Sequence, residues 1–338
     1  MYTDHFSLSE LPFNLTPDPK YLYLSASHAE ALAQMVFGIT MKRGFIMLTG
    51  EVGTGKTTII HSLRDKIIEH TKTAFIYHAI LGVKGLLISI CKSFHIPFSP
   101  RNNKSELLMR ISKFLQNTTR GGGNAALIID EAQNLNTKIL EQIRMLSNFE
   151  TPNQKLIQIV LVGQPELKTR LAQNDLRQLR QRISLNYHLS PMDRIETEKY
   201  IYHRLSIAGN QNGQKIFTTH ALDEIHEYTQ GIPRSINIIC DNALIMAYAH
   251  NHRTVEKAII EKVKFDDFSS NIQEFDRNLE VIEQNEINKV MRETEYDIRT
   301  IYNVNTNRNS GIVNLVLNWF RTKIMNRNQK NSISTIKL

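Results

Sequence analysis

The chain has 338 residues, of which 41% are hydrophobic and 22% are charged, a composition typical of a globular protein with one large or two modest domains. Its formal net charge is +8. After Asp297 the sequence contains seven basic residues and no acidic one, so the positive excess lies in the tail and the preceding part is nearly neutral. The net charge alone therefore does not indicate a nucleic-acid-binding protein.

Cysteine usage and hydropathy exclude further classes of protein. Cys91 and Cys240 lie far apart in apolar helical stretches without a CxxC pair, which argues against a disulfide framework or a zinc site and suits a reducing cytosol. The first residues lack the basic and apolar regions of a signal peptide. The longest late apolar stretch, GIVNLVLNWF, is too short to span a bilayer. We therefore expect a soluble cytoplasmic protein.

The predicted elements begin with a proline-rich segment and a helix, which we expect to pack on the core as an N-terminal segment over residues 1–40. Short runs without polar alternation then predict buried parallel strands. These runs are 45–49, 73–79, 125–130 and 156–163. Amphipathic helical segments lie between them, and this alternation predicts a doubly wound α/β domain over residues 41–190.

From Pro191 onward the pattern is helical without a strand candidate, and it predicts a small all-helical domain over residues 191–268. Residues 269–338 are polar, weakly patterned and basic. Asparagine recurs from residue 303 onward, which predicts disorder at least at the end of this tail.

The segment GEVGTGKTT, residues 50–58, fits the phosphate-binding pattern GxxxxGK[ST] between a predicted strand and a predicted helix. Its glycines let backbone N–H groups surround phosphate oxygens, Lys56 is placed to reach the β- and γ-phosphates, and Thr57 is placed to ligate Mg²⁺. The predicted contacts to ATP come from Gly50, Glu51, Val52, Gly53, Thr54, Gly55, Lys56, Thr57 and Thr58.

Polar residues follow two further predicted strands. In AALIIDEAQNL, Asp130 ends a strand where a Mg²⁺-bound water needs an acceptor, so we predict that it binds the metal with Thr57. Glu131 is placed to polarise the attacking water, or is instead a solvated acid at a helix N-terminus. Gln164 in LVGQPEL is expected at the same sheet edge, near the γ-phosphate, unless it only begins a loop.

Arginines cluster in LRQLRQRISLNYHL, between a helix and the second domain. An arginine supplied to a neighbouring subunit would stabilise charge on the transferring phosphoryl group, which requires a homo-oligomer. Arg182 is our first choice for this role and Arg180 our second. The alternative is a solvated basic helix.

Arg234 in GIPRSIN lies on the predicted first turn of a helix. A cation is unfavourable at a helix N-terminus unless an anion lies opposite. We therefore predict that Arg234 faces a phosphate of the nucleotide.

The order of these motifs is similar to that of AAA+ ATPases, in which an arginine at the position of Arg234 leads a lid helix and reaches the γ-phosphate as the second sensor. FSLSELPFNLTPDPKYLYLS, ALIIDEAQNL, LVGQPEL, LRQRI and GIPRSIN also resemble the ATPase domain of the general secretion pathway protein A family and its pilus-biogenesis relatives, over roughly residues 1–265. The resemblance implies an ATP-dependent homo-oligomer that couples ATP hydrolysis to assembly or transport in type II secretion or type IV pilus biogenesis. It implies a protein partner in that apparatus and a peripheral place at the inner membrane.

Two alternative functions remain open at the level of sequence. The chain also resembles transposition target-selection ATPases, for which the basic tail would contact DNA phosphates. The tail equally suits an anionic membrane surface, since Trp319 and Phe320 stand beside cations, or it binds nothing.

A non-hydrolysing scaffold would require an incomplete ATP site, whereas all the predicted site residues are present.

Overall fold

The structure, a computed structural model, covers one chain. It describes residues 1–265 except Pro17, Ile68, His70, 78–81 and 211–214. The predicted basic tail at 269–338 and its ligands therefore lie outside the described residues.

Seven strands and eleven helices are bounded in this part of the chain. The strands are β1 Phe45–Gly50, β2 Thr71–Ile76, β3 Asn124–Ile129, β4 Glu150–Thr151, β5 Gln154–Lys155, β6 Gln158–Gly163 and β7 Ile183–Leu189. The helices are α1 Tyr2–His5, α2 Ala26–Thr40, α3 Lys56–Ile67, α4 Val83–Ser93, α5 Lys104–Arg120, α6 Thr137–Leu146, α7 Glu166–Leu171, α8 Arg177–Arg180, α9 Arg194–Ile207, α10 Thr219–Thr229 and α11 Pro233–Ala249. Residues 257–265 are also helical.

The central sheet has five parallel strands in the order β2-β3-β6-β1-β7. Strands β1, β3 and β6 are buried at every position, because apolar side chains on both faces are covered by helices. Strand β7 is at the edge and alternates between half-buried and exposed residues. The predicted doubly wound α/β fold is therefore confirmed. Strand β2 begins two residues before the predicted run 73–79 and ends three residues before the end of that run.

Several helices begin where a polar side chain accepts a hydrogen bond from the first turn. Asn103, Asn136, Asp193 and Thr218 cap α5, α6, α9 and α10 in this way. Each cap of this kind stabilises a helix by about 1 kcal/mol. These caps fix where the four helices start.

A separate apolar cluster is enclosed by α9, α10, α11 and the helix at 257–265. These four helices form the helical lid. This part of the chain also contains an isolated parallel bridge between Phe217 and Val255, which the helical sequence pattern does not indicate. No helix in the described part of the chain is both long and apolar enough to cross a bilayer.

The N-terminal segment, predicted to pack on the ATPase core over residues 1–40, contacts both the α/β core and the lid cluster. Helix α2 packs on α3 and β7. The preceding residues bury Phe6 and Phe13 in the lid cluster instead. The buried guanidinium of Arg204 holds them there by donating to the carbonyls of Pro12 at 2.6 Å and Asn14 at 3.3 Å.

Candidate nucleotide site

The P-loop connects β1 to α3 and folds around the side chain of Lys56. The ammonium group of Lys56 donates to the carbonyl oxygens of Gly50 at 2.7 Å and Glu51 at 2.8 Å. Gly53 and Gly55 have φ values of +83° and +94°, a conformation that only glycine adopts without strain. An ammonium group has three donors, so Lys56 retains one for a phosphate oxygen.

Lys56 is only 7% exposed, and its burial lowers the pKa of its ammonium group. The carboxylates of Glu131 and Asp130 act in the opposite direction and favour the charged form of Lys56. A buried cation beside a glycine-rich loop suits a multiply charged phosphate ligand, which would compensate the cost of burial.

Thr57 and Asp130 come together next to this loop, as the predicted metal site requires. The hydroxyl of Thr57 donates to a carboxylate oxygen of Asp130 at 3.4 Å, and the backbone N–H of Glu131 donates to the other oxygen at 2.9 Å. Burial raises the pKa of Asp130. A hydroxyl and a carboxylate are hard oxygen ligands of the kind that Mg²⁺ takes, and a bound cation would offset the burial of the carboxylate.

Glu131 follows Asp130 with a φ of 51°, which is unusual for a residue with a side chain. It occupies the position before the short 3₁₀ helix Ala132–Asn134, and its side chain makes no capping hydrogen bond there. One oxygen of its carboxylate accepts a hydrogen bond from the side-chain amide of Gln133 at 2.5 Å. The half-buried carboxylate is therefore held by a neighbour, at the start of a short helix as the alternative interpretation also has it.

Gln164 emerges at the same sheet edge as the P-loop. Strand β6 ends at Gly163, which pairs with Thr49 of β1. The backbone N–H of Gln164 donates to the side-chain oxygen of Gln133 at 3.1 Å. Gln164 itself is half-buried. It thus lies beside the P-loop and is linked through Gln133 to Glu131.

Arg234 brings the lid into contact with the P-loop. Its backbone N–H donates to the carbonyl of Gly53 at 3.3 Å, and a Cβ atom added to Gly53 would lie only 2.7 Å from the Cβ of Arg234. The turn before it requires glycine, because Gly231 has a φ of +71° and any side chain there would meet the carbonyl oxygen of Met192 at 1.9 Å. Arg234 is exposed at this junction.

Arg180 and Arg182 lie away from the P-loop of their own chain. Ile183 starts β7 opposite Phe45, the first residue of β1, whereas the P-loop follows the last residue of β1. Arg182 donates to the hydroxyl of Ser147 at 2.6 Å, and Arg180 donates to the carbonyl of Ala172 at 3.1 Å. Neither arginine belongs to the cluster around Lys56.

His28 is a P-loop contact that the sequence did not indicate. Its Nε2–H donates to the carbonyl of Thr54 at 2.9 Å, and its Nδ1 lies 2.6 Å from the hydroxyl of Ser25. The ring is buried, and its burial lowers the pKa of His28. Nearby, the carboxylate of Glu196 in lid helix α9 accepts from the backbone N–H of Ala26 at 2.8 Å. Helix α2 thus connects the P-loop to the lid.

The chain is similar in sequence to known proteins. A family model described as an AAA domain matches residues 39–171. General secretion pathway protein A of Aeromonas hydrophila is 44% identical over 256 residues. This alignment covers 75% of the present chain and 46% of the relative, so the chain spans less than half the length of that protein.

Solved structures with the same fold include the ORC2 protein of Aeropyrum pernix, with a TM-score of 0.57 and 18% identity over 75% of this chain and 71% of that one. Cdc6p of Pyrobaculum aerophilum has a TM-score of 0.54 and 19% identity over 72% of this chain and 67% of that one. At these identities the likeness concerns the fold alone. The sequence relative, the family model and the fold together show that the chain belongs to the AAA+ ATPases, a family of P-loop proteins that bind nucleotides.

Proposed function

We propose that this chain is an ATP hydrolase that couples ATP binding and hydrolysis to assembly or transport in type II secretion or type IV pilus biogenesis. The observation that carries the proposal is the convergence of Lys56, Asp130 and Glu131 at the sheet edge, where Arg234 of the lid rests on the P-loop. The 44% identity to general secretion pathway protein A supports the place of this activity in the cell envelope.

Each residue of the site has a chemical role in this proposal. Lys56 and the P-loop N–H groups bind the β- and γ-phosphates, and Thr57 and Asp130 hold Mg²⁺. A Mg²⁺ ion held by these two residues would neutralise charge that develops on the phosphate oxygens. Glu131 accepts a proton from the attacking water, and Gln164 orients that water or the γ-phosphate.

In this proposal the position of the lid changes with the bound nucleotide. Arg234 contacts the γ-phosphate, so the angle between lid and α/β core depends on whether that phosphate is present. Arg182, or as the second candidate Arg180, completes the site of a neighbouring subunit in an ATP-dependent homo-oligomer. We place this oligomer in the cytoplasm, at the inner face of the envelope apparatus that it serves.

The hydrolase proposal is tested with Glu131→Gln and Lys56→Ala. Glu131→Gln should bind ATP normally but turn over about a hundred-fold more slowly, because the amide cannot accept the proton of the water. Lys56→Ala should lose tight ATP binding. The measurements are fluorescent-nucleotide titration and steady-state phosphate release, with Glu256→Gln, an exposed carboxylate of the lid, as the control. Normal turnover in Glu131→Gln or normal affinity in Lys56→Ala would contradict the assigned roles.

The envelope role needs a separate measurement in the source organism. A chromosomal Lys56→Ala allele should abolish pilus assembly or protein export while leaving the protein level unchanged, because the machine would lack its nucleotide cycle. Normal pili together with normal export in that strain would refute the envelope proposal and leave the ATPase assignment intact.

A further inference from the structure

The side-chain amide of Gln133 connects two predicted catalytic residues that come from different strands. Its NH₂ group donates to the carboxylate of Glu131, which follows β3, at 2.5 Å. Its oxygen accepts from the backbone N–H of Gln164, which follows β6, at 3.1 Å. An amide donates from one end and accepts at the other, so this one side chain satisfies both partners.

The amide is held in this bridging position by its surroundings. The carbonyl of Gln133 accepts a hydrogen bond from the guanidinium of Arg170 at 3.0 Å, which anchors the backbone of the short 3₁₀ helix. A Cβ atom added to Gly163 would lie 2.7 Å from the side-chain oxygen of Gln133. The glycine at the end of β6 therefore leaves the space through which the amide reaches Gln164.

We propose that Gln133 is a positioning residue that couples the carboxylate of Glu131 to the end of β6 at Gln164. This inference rests on the proposed function, since it assumes that Glu131 activates water. A shift of Gln164 when the γ-phosphate binds or leaves moves the amide oxygen, and the amide NH₂ group moves the carboxylate with it. Gln133 thus aligns the base with the site that senses the phosphate.

Gln133→Met tests the coupling, because methionine has a similar length and volume but neither donates nor accepts strongly. We expect kcat for ATP hydrolysis to fall about ten- to hundred-fold, the cost of misplacing a reacting group by about 1 Å, with unchanged ATP affinity. Gln133→Glu keeps the oxygen that faces Gln164 but replaces the donor by a second carboxylate beside Glu131. It should therefore lose as much activity as Gln133→Met. Asn134→Ala is the matched control, since this exposed neighbour has no side-chain hydrogen bond among the described residues.

A double-mutant cycle separates positioning from a general loss of structure. In a Glu131→Gln background, Gln133→Met should cause little further loss, because the group that Gln133 positions has already been removed. An equal loss in both backgrounds would overturn the coupling, as would normal kcat in Gln133→Met. If Gln133→Met is misfolded, it also loses its affinity for ATP. In that case the kcat of Gln133→Glu tests the coupling instead. The proposed function fails separately, if Glu131→Gln alone turns over at the wild-type rate.

Discussion

His28 lies outside the P-loop, yet it holds one of the loop's carbonyl groups. Its Nε2–H donates to Thr54, and the hydroxyl of Ser25 donates to its Nδ1, so both hydrogen bonds are made by the neutral ring. A Cβ atom on Gly55 would lie 2.8 Å from the same Nε2 atom, so the glycine permits this close approach. The conformation of the P-loop thus depends on a side chain of α2.

Protonation of His28 should destabilise the folded protein. Its buried ring has a pKa below 6.5, the usual value that it regains on unfolding, so the unfolded chain binds the proton more readily. This residue's contribution is therefore fully present above pH ~6.5 and is lost as the pH falls from there to the folded pKa, by at most ~1.4 kcal/mol per pH unit.

Urea unfolding at several pH values, with His28→Gln beside the wild type, measures this contribution. The wild type should lose more free energy of unfolding than the variant between pH 7.5 and 5.5, values on either side of the usual histidine pKa of about 6.5. His61→Gln, on the exposed side of α3, is the control and should follow the wild type. Parallel curves for wild type and His28→Gln would contradict the assignment.

Site residues could be predicted from the sequence when they lie close together along the chain, and not when their contacts join distant segments. Lys56 and Thr57 are predictable, because binding phosphate with a backbone loop requires consecutive residues in a fixed pattern. His28 precedes the P-loop carbonyl that it binds by 26 residues, and no local pattern relates the two. Gln133 appears in the quoted segment AALIIDEAQNL, but its bridging contact to Gln164 exists only once β3 and β6 pair.

At the scale of elements, the lid helix α11 meets the P-loop through a turn that tolerates little change. Gly231 approaches Met192 so closely that only a hydrogen fits, and Met192 donates its N–H to the carbonyl of Gly231 at 3.0 Å. Pro233 then starts the helix with a fixed φ, at a position where no N–H is needed. The direction of α11 over the P-loop is therefore set by the backbone.

Arg234→Ala should remove the preference for ATP over ADP. Only ATP has the γ-phosphate that Arg234 is proposed to contact, and a hydrogen bond to a charged group contributes ~1.5–3 kcal/mol. The affinity for ATP should therefore fall about ten- to hundred-fold, whereas the affinity for ADP should hardly change.

Titration of both nucleotides against Arg234→Ala and against Arg253→Ala measures this effect. Arg253 lies in the lid and donates to the carbonyl of His5, so its loss tests whether disturbing the lid is enough to change nucleotide preference. If Arg234→Ala has the same ratio of ATP to ADP affinity as the wild type, Arg234 does not contact the γ-phosphate.

The sequence predicts strands most clearly where both faces of the strand are buried. The runs that become β1, β3 and β6 are buried at every position and mostly apolar, because both faces of each strand are covered. The N-terminal residues were harder to place. Phe6 and Phe13 identify a buried segment, but apolar side chains do not specify which apolar cluster they enter. The deciding contacts come from Arg204 in the lid.

At the scale of the whole molecule, the P-loop and Arg182 lie at opposite ends of the parallel strands. A strand rises about 3.3 Å per residue, so the length of β1 places roughly 17 Å between the two ends of the sheet. Arg182 therefore cannot complete the nucleotide site of its own chain without a large rearrangement. Its hydrogen bonds to Ser147 and Asn148 instead hold it at the opposite end of the sheet.

Mixing two inactive variants tests this donation between subunits. Arg182→Ala binds nucleotide but offers no arginine, and Lys56→Ala offers the arginine but binds no nucleotide. In an equimolar mixture with random assortment around a closed ring, roughly one interface in four combines an intact Lys56 with an intact Arg182 from its neighbour. Phosphate release by the mixture should therefore rise well above that of either variant alone.

Arg180→Ala is the comparison that decides between the two candidates. It should retain most of its activity when assayed alone, since Arg180 is exposed and its side chain donates, within the part of the chain that the structure describes, only to the carbonyl of Ala172. If Arg180→Ala is inactive and is restored by Lys56→Ala whereas Arg182→Ala is active alone, the second candidate is the finger. If no ratio of Arg182→Ala to Lys56→Ala restores phosphate release while both variants form oligomers, Arg182 does not act in a neighbouring site.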